Sequence, residues 1–120
     1  MKKVLVVDNE AEVRELVRAT LEVTDYLILT AENGWQALEI ASRERPDLVL
    51  LDVMMPEGPD GLEICRQLKS AWNPSPTIVM LSARAQKTDI EAGFAAGADN
   101  YFVKPFSPLE LIHKVEEWLD

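Results

Sequence analysis

Five short apolar runs, each followed by a stretch of helical periodicity, set the pattern of this chain. Val4-Leu5-Val6-Val7, Leu48-Val49-Leu50-Leu51 and Ile78-Val79-Met80-Leu81 are apolar without interruption. A strand with one wet face alternates, so these runs predict strands covered on both faces. Leu27-Ile28-Leu29-Thr30-Ala31 predicts a weaker strand nearer an edge, and Tyr101-Phe102-Val103 predicts a fifth.

The first helix is expected from about Glu10 to Val23, with Val13, Leu16, Val17, Thr20 and Leu21 on its apolar face. Asn33-Gly34 turns into a second helix that buries Ala37, Leu38 and Ala41, and Arg45-Pro46 stops it. The stretch Pro56-Glu57-Gly58-Pro59-Asp60-Gly61 reads as a loop. Asp60 is the expected N-cap of a third helix showing Leu62, Cys65 and Leu68 inward, broken at Asn73-Pro74-Ser75-Pro76. The fourth helix, about Lys87 to Ala96, has few large anchors, which predicts an element able to shift between packings. Ser107 and Glu110 form a capping-box pattern, with Pro108 at the first position of a fifth helix carrying Leu111, Ile112, Val115 and Leu119.

This alternation predicts an α/β fold with a parallel sheet, helices on both faces and right-handed crossovers. The strongest runs are the first, third and fourth, which suits a flavodoxin-like doubly wound sheet of order 2-1-3-4-5 with five helices. A length of 120 residues fits one domain, residues 1–120. No apolar run approaches the ~20 residues of a membrane span. Met1-Lys2-Lys3 leads directly into a strand without the features of a signal peptide, so a cytoplasmic location is expected by default. The net charge of −9 disfavours nucleic-acid binding by this domain and suits a hard cation where acids converge. Cys65, the single cysteine, is expected to be a small buried hydrophobe.

The strand ends carry the candidate chemistry. They are Asp8, Asn9 and Glu10 after the first strand, Asp52 after the third, Ser82 after the fourth and Lys104 after the fifth. In a parallel sheet these ends share the carboxyl edge, where open α/β sheets bind ligands. Adjacent carboxylates repel and call for a cation, and oxygen donors with room for water suit Mg²⁺. A neutralised Asp52 is then a carboxylate nucleophile for phosphorus, forming an aspartyl phosphate. Lys104 and Ser82 would each take a phosphoryl oxygen, since such transfer is mainly positioning and charge stabilisation.

The ordered set of motifs resembles the bacterial two-component response-regulator receiver domain across essentially the whole chain. The segments are Val6-Val7-Asp8, Asn33-Gly34 with Ala37-Leu38, Leu51-Asp52-Val53-Met54-Met55-Pro56, Asp60-Gly61, Leu81-Ser82-Ala83, Gly97-Ala98-Asp99-Asn100-Tyr101 and Val103-Lys104-Pro105-Phe106. The resemblance implies Mg-dependent phosphoryl transfer to Asp52 from the phosphohistidine of a histidine kinase or phosphotransfer protein. The metal would be held by Asp8, Asn9, Asp52 and the Met54 backbone carbonyl, with Glu10 as a further donor. Ser82 and Tyr101 would act as switch residues, with Tyr101 turning inward behind Ser82. The surface of the fourth helix, fifth strand and fifth helix would change for a downstream effector domain or protein. The resemblance implies a signalling switch, not an enzyme, that assists its own phosphorylation and dephosphorylation. It also implies a cis bond at Lys104-Pro105.

Three departures stand out. Asn9 replaces the family's second acid, which predicts weaker metal binding unless Glu10 helps. The loop after Pro56 carries an extra Gly58-Pro59, expected to alter shape rather than chemistry. A phosphorylation-dependent dimer is compatible with the resemblance. The salt-bridged dimer of the winged-helix branch is not expected, because Ile90 follows Asp89 and Asn100 replaces a usual acid.

His113 reads as an ordinary surface histidine, and Trp35 and Trp118 as partly exposed side packing. Trp72 is expected to close the third helix. The resemblance gives Met54 and Arg84 a part in aspartyl-phosphate lifetime. An aspartate-nucleophile phosphatase of the haloacid dehalogenase type wants Asp-x-Asp at its first strand, whereas Val53-Met54 follow Asp52 on the third. A flavin-binding domain wants a first loop rich in Gly, Ser and Thr, and Asp8-Asn9-Glu10 repels phosphate. The remaining alternative is a degenerate receiver that acts only as a protein-docking module.

Overall fold

A computed structural model describes all 120 residues. The elements alternate as β1 (Lys3–Val7), α1 (Ala11–Leu21), β2 (Leu27–Ala31), α2 (Gly34–Glu44), β3 (Leu48–Asp52), α3 (Gly61–Ala71), β4 (Thr77–Ser82), α4 (Lys87–Ala95), β5 (Asn100–Val103) and α5 (Pro108–Leu119). All strand pairs are parallel, in the order β2-β1-β3-β4-β5. The expected fold class is therefore the one observed.

Both faces of the sheet are buried, which explains the unbroken apolar runs. Leu5, Val7, Val49, Leu51, Ile78 and Met80 enter one core cluster with Ala37 and Ala41 of α2 and Ile64, Cys65 and Leu68 of α3. Their neighbours Val4, Val6, Leu48, Leu50, Val79 and Leu81 enter the other, with Val17 and Leu21 of α1 and Leu111 and Val115 of α5. Burying each Val, Leu, Ile or Met side chain among them stabilises the fold by ~1.5–3 kcal/mol before the cost of ordering it. The register pairs Val7 with Leu51, Asp52 with Leu81 and Ser82 with Val103. That alignment carries four strand ends to one edge.

Helix starts follow their capping residues. Asn33, Asp60 and Ser107 each accept a backbone N–H from three residues on, at 2.9, 2.9 and 3.1 Å. Only the forward half of the Ser107–Glu110 capping box forms. Arg45 ends α2 in the left-handed region, with φ of 50°. The Lys104-Pro105 bond is cis, as the resemblance implied, and Asn73-Pro74 is cis as well.

Three details differ from expectation. Leu16 is 46% exposed, because the buried stripe of α1 narrows to Val17 and Leu21. On α3 the stripe is Gly61, Ile64, Cys65 and Leu68, a regular i, i+3, i+4, i+7 series. Leu62 is half-buried beside it, and Ile64 takes the central place. Helix α1 stops at Leu21, and Val23 is exposed beyond it. The extra Gly58-Pro59 leans on the start of α2. Gly58 has φ of +74°, and a Cβ there would meet the Trp35 ring at 2.9 Å. Trp35 lies over that glycine and stays 63% exposed. No helix is long and apolar enough to cross a membrane.

Candidate functional site

The carboxyl edge of the sheet holds the chain's three buried polar or charged residues, Asp8, Asp52 and Ser82. Each stands at its strand's end or one residue past it, where the aliphatic run stops, so the packing of the run behind it fixes the side chain. The Asp8 carboxylate accepts the Glu10 N–H at 2.9 Å through Oδ1 and Lys104 Nζ at 2.7 Å through Oδ2. Lys104 Nζ also stands 3.9 Å from Asp52 Oδ2. Asp52 Oδ1 accepts the Met54 N–H at 3.2 Å. One ammonium thus sits between two carboxylates and is bonded to the deeper one.

Ser82 Oγ accepts the Arg84 N–H at 3.0 Å, which leaves its own proton for another acceptor. Tyr101 donates its hydroxyl to the Arg84 carbonyl at 2.8 Å. Its ring packs on the core cluster under α2, α3 and α4 and faces Gly93 of α4. Tyr101 is thus turned inward, toward the Arg84 backbone and α4. The Arg84 side chain points to Asp89 of α4 at 3.8 Å. Asp89, which has no arginine after it, is paired within the chain.

Burial, then the charge of Asp8, pushes the Asp52 carboxyl up to about 6, against the opposing pull of Lys104 and the Met54 N–H. The Asp52 carboxylate thus stands in a site short of positive charge. Asn9, Glu10, Asp52, Met54, Asp60, Ser82, Arg84 and Lys104 line the open cleft above them. Asp8 is fully buried beneath Lys104. Glu10 is exposed, and no third acid joins Asp8 and Asp52 in a metal-binding group. The donor set still fits Mg²⁺, which is commonly bound through one or two carboxylates while keeping several waters.

The structure thus brings together Asp8, Asp52, Ser82 and Lys104, with Asn9 and Glu10 at the rim and Tyr101 behind Ser82. His113 is exposed on α5 and lines none of this cleft. Cys65 is buried, and burial pushes its thiol up to about 11, as fits an inert core residue. Trp72 is half-buried at the end of α3, with the Arg45 guanidinium 4.3 Å from its ring centre.

Sequence reasoning missed three supporting residues. Met55 is buried below the site. Gly61 lies against the Asp52 carbonyl, where a Cβ would stand 2.1 Å from the oxygen. Arg14 donates to the Asp8 carbonyl at 2.7 Å. The signal for Arg14 was its helical phase, one turn before Val17 on the inner side of α1.

Comparison with known proteins agrees with this geometry. A family described as Response regulator receiver domain matches residues 4–116. The transcriptional regulatory protein ResD of Bacillus subtilis (strain 168) is 45% identical over 117 residues, which are 98% of this chain and 48% of that protein. The response regulator MprA of Mycobacterium leprae (strain TN) is 44% identical over 98% of this chain and 50% of its own. The chain spans about half the length of these curated relatives. The chemotaxis response regulator CheY4 of Vibrio cholerae superposes with a TM-score of 0.90 at 32% identity, covering 99% of each chain.

Proposed function

The chain belongs to the response-regulator receiver family, whose members signal by phosphorylation, and from that premise we propose that Asp52 is the phosphoacceptor. The observation that carries this reading is the buried pair Asp8–Asp52 with Lys104 between them and the Ser82 hydroxyl at the same edge. An Asp52 oxygen attacks phosphorus as the nitrogen–phosphorus bond of a phosphohistidine breaks, and the imidazole leaves with the electron pair. Asp8, Asp52, the Met54 carbonyl and Asn9, with Glu10 at the rim, would hold Mg²⁺, which would supply charge neutralisation for the carboxylates and phosphoryl oxygens. Lys104 turns from Asp8 toward the arriving oxygens. Ser82 donates its free proton to another. Asn9 supplies a neutral donor where the family has an acid, so the site carries one negative charge fewer.

Ser82 moving toward phosphorus loses the Arg84 N–H, and the same residue's carbonyl holds Tyr101. The change therefore reaches α4, β5 and α5, whose outer surface is read by a downstream effector domain or protein. The phosphodonor is a histidine kinase or phosphotransfer protein, met in the cytoplasm. The docking-only alternative gains nothing from a site that keeps Asp8, Asp52, Ser82 and Lys104 together.

Intact mass after incubation with a small phosphodonor and Mg²⁺, beside an Asp52→Asn control, tests the reading. The expected result is one added phosphoryl group in the parent alone, abolished by a metal chelator. No gain in the parent, with the small donor and with a kinase, favours the docking-only alternative.

A further inference from the structure

Every backbone and carboxylate polar group of Asp8 has a partner. Its N–H donates to the Ala31 carbonyl at 3.1 Å, and its Oδ1 and Oδ2 accept from Glu10 and Lys104. Its carbonyl accepts from Arg14 Nη1 at 2.7 Å. The first three partners are the neighbouring strand's backbone, the adjacent loop's backbone and the site's own lysine. Arg14 is neither. It sits on α1, its side chain only 18% exposed, and its second arm, Nη2, stands 3.6 Å from Glu32 Oε2 in the β2–α2 loop. One planar guanidinium therefore joins the end of β1, the first turns of α1 and the start of the next loop. A fork of fixed donors suits that bridging, and a lone ammonium does not.

We infer that Arg14 is a positioning residue for the cation and phosphoryl site. The carbonyl it holds belongs to the Asp8–Asn9 peptide. Fixing that peptide fixes where the Asp8 carboxylate points and where Asn9 is presented. This rests on the metal-site reading above, and it assigns to α1 a part in chemistry that occurs on the strand ends.

The guanidinium has two opposite effects on a cation. As a fixed positive charge it repels Mg²⁺. As a clamp it holds the donors in place, and partners of metal ligands commonly govern affinity by about 10–100-fold. The sign of the mutational effect separates the two. Removing a mere charge tightens Mg²⁺ binding, the more so because Glu32 is left unpaired. Removing a clamp weakens it.

The experiment is calorimetric titration of Mg²⁺ alone into the parent chain and Arg14→Met, with far-UV circular dichroism to show that both are folded. Arg14→Met is expected to bind Mg²⁺ about tenfold more weakly, with a matching loss in phosphorylation rate at subsaturating Mg²⁺. Unchanged or tighter binding with only a lowered Tm overturns the inference and leaves Arg14 a structural residue. If Arg14→Met does not fold, Arg14→Lys carries the test at constant charge. Binding weakened at least threefold supports the fork, and parental binding overturns it. A parent that binds no Mg²⁺ overturns the metal site itself, and the part of Arg14 with it. Ordinary binding by the parent beside unchanged Arg14→Met removes the part of Arg14 alone.

Discussion

Helices α3 and α4 lie against the same face of the sheet, yet they are attached in different ways. Helix α3 buries Ile64, Cys65 and Leu68, and the Asp60 side chain caps its N-terminus. Helix α4 buries only Gly93, and its N-cap residue Gln86 contributes no side-chain bond. What ties α4 to the site is polar and sparse: the Arg84–Asp89 pair and the Tyr101 ring, whose hydroxyl reaches the Arg84 carbonyl. Each buried aliphatic side chain is worth ~1.5–3 kcal/mol, whereas an exposed ion pair is worth below ~1 kcal/mol. The site therefore has one fixed wall and one adjustable wall. A single hydrogen-bond change at Ser82 is large beside what holds α4 and small beside what holds α3.

Two glycines put the contrast to its hardest test. A Cβ on Gly61 would meet the Asp52 carbonyl oxygen at 2.1 Å and the Val53 Cα at 2.8 Å, and neither backbone atom can yield without moving the strand end. Gly61→Ala is expected to cost about 3 kcal/mol or more in urea denaturation and to abolish phosphorylation in whatever folds. A Cβ on Gly93 would meet the Tyr101 ring at 3.0 and 3.1 Å, and a ring can turn aside. The better helix propensity of Ala offsets part of that clash, so Gly93→Ala is expected to cost about 1 kcal/mol or less. Its larger effect is on Tyr101, whose NMR signals should shift as the bond to Arg84 is lost. Equal costs at the two glycines would erase the distinction between the walls.

The fixed wall was largely legible in the sequence. The uninterrupted runs at β1, β3 and β4 showed two-sided burial, and the polar residue ending each run marked the edge where Asp8, Asp52 and Ser82 gather. Capping residues placed α2, α3 and α5 correctly because caps act locally. The misses were tertiary. On α3 the expectation held Leu62, which packs on the core, but left out the fully buried Ile64, since both are aliphatic and only the contact with the sheet ranks them. Gly61 read as a turn residue because close backbone approach leaves no mark in composition. Arg14 drew no reading because its acceptor, a carbonyl six residues earlier, comes near only once α1 folds back on β1. Tyr101 was expected to turn inward, but not that Gly93 leaves the space for it, a pairing across two elements.

The electrostatic strain belongs to the fixed wall, because Gly61 prevents the Asp52 end from drifting away from Asp8. With its carboxyl raised from 3.8 to about 6, Asp52 keeps a proton in the native state that the unfolded chain releases between those values. The native state then binds more protons, so stability falls as pH rises through that window and stays low above it. Asp52→Asn removes the charge. It is expected to raise the Tm above pH 6, with the gain shrinking as pH falls toward 3.8. A Tm difference independent of pH across this range would show that the Asp8–Asp52 repulsion is not felt by the fold.

The smallest effect is expected at the adjustable wall. Arg84 and Asp89 stand 3.8 Å apart with the arginine side chain mostly exposed, so breaking the pair costs little global stability. Arg84→Ala and Asp89→Ala should each change the unfolding free energy by less than ~1 kcal/mol, and the double variant should fall short of their sum by the energy of the pair. Local opening is a more sensitive readout, because α4 has so little else to hold it. Amide exchange in Lys87–Ala95 should quicken several-fold in either variant, while exchange in Gly61–Ala71 stays as it is. High salt should bring the parent toward the variants in α4 alone, since an exposed pair is screened and a packed helix is not. Unchanged exchange in α4, or equal quickening in both helices, would mean that α4 is packed as firmly as α3, and that the movement of Ser82 needs another route to the surface.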